Sequence, residues 1–117
     1  RIHRENLEDD IRRCWSAMRD IGRNGAPVEL ESIREHLRAL AVEEGASQDE
    51  ANIEGEISGF VASLFLTHRG FAEVWQMGEA SEGRIFIKDR WPSSSSYDDA
   101  RLQIAKERGI SLAEVEA

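Results

Sequence analysis

Three amphipathic stretches of helical spacing come first in this chain, and two short runs rich in Phe, Val, Trp and Ile follow around a polar, glycine-containing turn. In the first stretch Leu7, Ile11, Cys14, Trp15, Met18 and Ile21 recur at intervals of three and four, the period of one helical face. Asn6 is placed to cap it, and Glu8, Asp9 and Asp10 suit the positive end of its dipole. Gly22 and Gly25 then end it, and residues 26–30 read as a short extended piece because Pro27 and the residue before it disfavour helix. Ser32 with Glu35 forms the pattern of a capping box ahead of a second helix, whose buried face is Ile33, Leu37, Leu40 and Ala41 and which Gly45 stops. Ser47 with Glu50 repeats that pattern for a third helix, with Ile53, Ile57, Phe60, Val61, Leu64 and Phe65 expected on its buried face.

Gly70 closes the third helix, and residues 71–77 and 84–91 are predicted strands joined by the flexible turn 78–83. In the second strand Ile85 and Ile87 share the face expected to pack on the helices. Arg84, Phe86, Lys88 and Arg90 share the other, which leaves Phe86 exposed among cations. Trp15 and Trp75 are expected in the core, and Trp91 at its edge. The Pro92–Ser96 segment reads as a linker, and beyond Asp99 a helix with a thin stripe of Leu102, Ile104 and Ala105 runs to Gly109. This divides the chain into residues 1–91, a Ser-rich linker over 92–97, and a helical tail over 98–117 that either docks back or pairs with a second chain, a homodimer through the C-terminal helix.

The element order between Asn6 and Trp91, with its two capped helices and short glycine-containing connection, resembles a winged helix-turn-helix domain. The resemblance implies an α+β fold, a three-helix core with a β-hairpin wing, here followed by a C-terminal helix. It also implies that the third helix would enter the major groove of DNA while the wing touches backbone or minor groove. On that alternative, a dimeric DNA-binding transcriptional regulator, Gln48 and Asn52 would read base edges while Arg84, Lys88 and Arg90 bind phosphate.

Charge argues against that use. The 117 residues carry 15 basic and 23 acidic side chains, a formal charge of −8. The third helix opens on Asp49 and Glu50 and adds Glu54 and Glu56, with no Lys or Arg before Arg69. Affinity for DNA comes largely from neutralising phosphates, so this helix would meet repulsion. A protein–protein contact is the leading expectation, with Asp49, Glu50, Glu54, Glu56, Phe86 and Trp91 as its residues and a basic surface as its partner. A sharper version has the acidic helix imitate nucleic acid and inhibit a protein that binds it.

Nothing in the sequence points to catalysis. It has no phosphate-cradling glycine loop, no paired cysteines at metal spacing and no zinc-binding helix motif, so neither a metal nor a cofactor is expected. His3, His36 and His68 are scattered, and the lone Cys14 sits on an apolar helix face. Apolar runs fall well short of the ~20 residues of a membrane span, and no secretory signal is visible. A cytoplasmic setting is expected, with a leader or upstream domain left open because the chain begins at Arg1.

Overall fold

The computed structural model describes residues 4–79 and 83–117; the centre of the expected wing turn and His3 lie outside the described residues. The elements are α1 (Arg4–Ile21), β1 (Val28–Glu29), α2 (Leu30–Glu43), α3 (Gln48–Arg69), β2 (Ala72–Met77), β3 (Arg84–Asp89), α4 (Tyr97–Arg108) and α5 (Leu112–Val115), with a short 3-10 turn at Arg23–Gly25. The fold is α+β, a helical core carrying a β-hairpin and followed by a C-terminal helix. The sheet has the order β1-β3-β2 and is antiparallel throughout. Val28 pairs with Ile87 and Glu29 with Phe86, so the two-residue strand fixes the hairpin to the start of α2. Among the described residues no helix is long and apolar enough to cross a membrane.

The helix of the first amphipathic stretch begins before Asn6, which lies inside it and not at its cap. Its face forms as the spacing demands: Ile11, Cys14, Trp15 and Met18 are buried, while Ile21 at its end is exposed. The first capping box does not form at Ser32, because β1 runs directly into α2 and the helix starts two residues earlier at the buried Leu30, with Glu29 at the cap. The second, at Ser47, does form. The Glu50 amide donates to Ser47 Oγ at 3.1 Å and the Ser47 amide to Glu50 Oε1 at 3.0 Å. Gly70 closes α3 in the left-handed region at φ 91°, where a side chain would strain the backbone.

The largest departure from expectation is the face that α3 buries. Ala51, Gly55, Gly59, Ala62, Ser63 and Leu66 face the core, while the larger Ile53, Ile57, Phe60 and Leu64 face solvent. The cause is a close approach of α2. A Cβ on Gly55 would lie 2.5 Å from Arg38 Cγ, and one on Gly59 would lie 3.2 Å from Arg34 Cγ. The two arginine stems therefore occupy the space that side chains on the glycines would fill, and their charged heads emerge beside Glu31 and Glu56. Gly55→Leu should lower stability by about 1–3 kcal/mol through overpacking, despite leucine's better helix propensity. Urea denaturation checks this, with Ile57→Leu, on the open face, close to unchanged.

The Ser-rich segment is packed rather than a free linker. Ser94 is buried, and its hydroxyl donates to the Trp91 carbonyl at 2.6 Å. Ser96 caps α4, and Tyr97, expected at the linker's end, is the first residue of that helix and lies in the core. Its ring stacks on Phe71 with centroids 4.4 Å apart and meets Trp15 edge-on at 5.7 Å. Ala100, Ile104 and Val115 share the same core cluster. Residues 97–115 thus complete the core in cis, and the helix's apolar stripe is already used within the chain; Leu102, expected on that stripe, is exposed.

Candidate interaction face

On α3 the positions Ile53, Ile57, Phe60 and Leu64 step by four, three and four residues, so they form one line along the helix. They are 61, 50, 40 and 49% exposed. The line covers about 16 Å of axis at the helical rise. Ridges of large apolar side chains facing water together are uncommon on a soluble domain, where single exposed apolar residues are the norm. At its middle, Arg34, Glu56, Ile57, Phe60 and Val61 surround a shallow hollow, with the Arg34 guanidinium 5.9 Å from the Phe60 ring.

Carboxylates bracket the N-terminal half of this line. At 100° per residue Asp49 and Glu56 fall on one side of it and Glu50 and Glu54 on the other. All four are exposed, but they are not equally free. Glu50 is engaged in the cap, and the Ser47 amide and hydroxyl hold its carboxyl below the ordinary value. Glu56 lies 3.8 Å from both Arg34 and Arg38. Glu54 lines a narrow crevice toward α1 and α2 with Asp10, Arg13 and Ser58. Burial pushes the Asp10 carboxyl up there, partly opposed by its hydrogen bond with Ser58. The acidic face expected from sequence is therefore a rim around an apolar centre.

The hairpin presents a different surface. Trp75 and Phe86 are cross-strand partners with rings stacked at 6.0 Å, half-buried on the sheet's outer side. Trp75 therefore does not join the core; Val74, one residue earlier, packs there beside Ile87. Phe86 is covered in part by Arg84, 5.2 Å from its ring. Arg84 is ion-paired with Glu29, which keeps the Glu29 carboxyl below its ordinary value. Arg90 donates to the Gly70 carbonyl at 3.1 Å and to Glu107 at 3.3 Å. Trp91 closes the edge of the core, its indole N–H donating to the same carbonyl at 2.9 Å. Lys88 is half-buried on β3. The Gln48 amide donates to Asn52 Oδ1 at 3.0 Å on the first turns of α3, where both side chains are exposed.

Among the described residues no three His, Cys, Asp or Glu side chains are grouped to hold a metal ion. Burial pushes the Cys14 thiol up to about 12, far from the thiolate a nucleophile requires. Phe86 and Trp91 lie on the hairpin and its exit, whereas the four acids lie on α3, so the expected contact residues divide between two surfaces. Periodicity alone assigns this apolar line to the core. Its signal was the small-residue row Ala51, Gly55, Gly59 and Ala62, which marks where another helix comes close. In comparisons with family models, with curated proteins and with solved structures, nothing matches this chain.

Proposed function

We propose that this chain is a noncatalytic, winged-helix-like interaction module that makes protein–protein contacts through α3. The observation that carries the reading is the solvent face of that helix, four large apolar side chains in a line with carboxylates at its rim. An apolar centre supplies affinity when a partner excludes water from it, and a charged rim orients the encounter. The order α1-β1-α2-α3-β2-β3, with β1 paired to β3, supports the likeness to winged helices.

In DNA-binding members of that fold the third helix enters the major groove. Here its exposed face offers no cation over residues 48–64, and the two wing arginines are engaged with Glu29, Glu107 and a carbonyl. The apolar centre also disfavours pure imitation of nucleic acid, since a phosphate-binding surface has little use for isoleucine and phenylalanine. A cytoplasmic setting fits the single buried thiol.

Two measurements test the reading. A photo-activatable side chain at position 64, in cells producing the chain, should give a discrete protein adduct that the same group at the exposed Leu112 does not give. The purified chain should leave the fluorescence anisotropy of mixed-sequence duplex DNA unchanged, even at low salt. Tight binding that falls steeply as salt rises would overturn the reading in favour of a DNA regulator.

A further inference from the structure

We infer that the partner seated on α3 is a second copy of this chain, bound with the two α3 helices antiparallel about a two-fold axis midway between Ile57 and Phe60. The inference rests on the reading of α3 as a protein-contact face. Three features of the helix select this occupant.

The first is the spacing. Steps of four, three and four residues are the alternation of a helix–helix seam, which keeps the same edge toward a partner helix. The line is also symmetric about its centre. Turning one helix end for end about the point between residues 58 and 59 sets Ile53 against Leu64 and Ile57 against Phe60, and each pair occurs twice. The partner's Phe60 then arrives over the hollow beside Ile57, and no apolar side chain of the line is left unmatched.

The second is charge. All four carboxylates of α3 lie between residues 49 and 56, and residues 57–69 hold none. The C-terminal end carries His68, and the exposed Arg108 side chain reaches the His68 carbonyl at 3.4 Å. Antiparallel pairing brings Glu50 of one copy to the same level and the same side of the seam as His68 of the other, at both ends, away from the other copy's carboxylates. Parallel pairing would stack four carboxylates on four. Each chain is −8 overall, but that repulsion is screened over about 8–10 Å at physiological ionic strength, whereas the end contacts are short-range.

The third is the backbone. Antiparallel α3 helices place the positive N-terminal end of each dipole beside the negative C-terminal end of the other. The side of α3 away from the seam is already filled by α2 and by the arginine stems, so the helix can be paired without rearranging the fold.

Sedimentation equilibrium of the purified full chain is the first test, and a concentration-dependent dimer is expected. Ile57→Glu should raise its dissociation constant by more than about thirtyfold, the effect of a residue at the centre of an interface. Its melting curve at a concentration where both proteins are monomeric should match the parent's, because Ile57 is half exposed. Orientation is read by disulfide trapping: a mixture of Ile53→Cys and Leu64→Cys chains should cross-link hetero-pairs faster than either variant cross-links with itself. His68→Glu should weaken the dimer, because it sets a second carboxylate against Glu50 of the other copy at both ends of the seam.

Preferential cross-linking of 53 with 53 and 64 with 64 would overturn the antiparallel arrangement. A chain that stays monomeric at all concentrations, while position 64 still captures another protein in cells, would overturn self-pairing and leave the broader reading standing. A dimer indifferent to Ile57→Glu would overturn both the seam and α3 as the contact face.

Discussion

Asp89→Ala is expected to cost about 3–5 kcal/mol, the range for removing one member of a buried charge pair. Asp89 is 2% exposed at the end of β3. Its carboxylate accepts from the Trp91 amide at 2.9 Å and lies 3.3 Å from Arg19 Nε. Arg19 in turn donates to the Pro92 carbonyl at 2.9 Å and to the Ser94 carbonyl at 2.7 Å, with its guanidinium 4.6 Å from the Trp15 ring. One carboxylate thus organises the turn that leads the chain from the hairpin to α4. Without it, a half-buried guanidinium loses its counter-charge and the Trp91 amide loses its acceptor. In a chain of this size the loss corresponds to a fall in melting temperature of more than about 10 °C. Calorimetry measures it directly. Labelling of Cys14 gives a second readout, since its buried thiol reacts only when the core opens. Asp89→Asn, which keeps the acceptor for Trp91, should lose less; an alanine variant as stable as the parent would refute the role given to this carboxylate.

The second large effect is expected at Arg69, 3% exposed near the end of α3. Its guanidinium makes a two-pronged contact with Glu8, at 2.9 and 2.8 Å, and also donates to the Glu116 carbonyl at 3.3 Å. Its other face lies 5.2 Å from the Phe65 ring. The Glu8 hydrogen bonds hold Arg69 more firmly protonated than usual. This arginine joins the first helix, the third helix and the last residues of the chain. Glu8→Ala should cost about 3 kcal/mol or more, because it leaves a charge buried without its partner. The double variant Glu8→Met with Arg69→Met should recover much of that loss, since two apolar groups of similar size avoid the desolvation that the ion pair must offset. Chemical denaturation of Glu8→Met, of Arg69→Met and of the double variant separates pairing from packing. Equal losses that simply add would mean that the two side chains act independently.

The helices and hairpin were legible because their signals are local. Ile11, Cys14, Trp15 and Met18 are buried as their spacing requires, and Ser47 with Glu50 builds the cap that its pattern encodes. What misled was size. On α3 two faces compete for the interior, one of large apolar residues and one of glycine and alanine. Periodicity alone favours the larger, but the arginine stems of α2 fill the glycine row, and that depends on residues some twenty positions away in sequence. The same distance hid the fate of the serines at 93–96. Their composition suggests a linker, yet Arg19, more than seventy residues earlier, supplies the hydrogen bonds that order them. The candidate site was therefore half legible: its acids could be read from sequence, its apolar centre could not.

The insertion of Tyr97 between Phe71 and Trp15 bears on how this protein is made. A ribosome releases the chain from the N-terminus, at roughly 5–20 residues each second. The first three helices and the hairpin emerge complete while the aromatic gap between Trp15 and Phe71 is still empty. Stable closure waits for residues 97–115, which follow the hairpin in sequence and end at the buried Val115. Until then the nascent chain shows both its unfinished interior and the outward ridge of α3, a period in which chaperones or a sister chain on the same message can engage it.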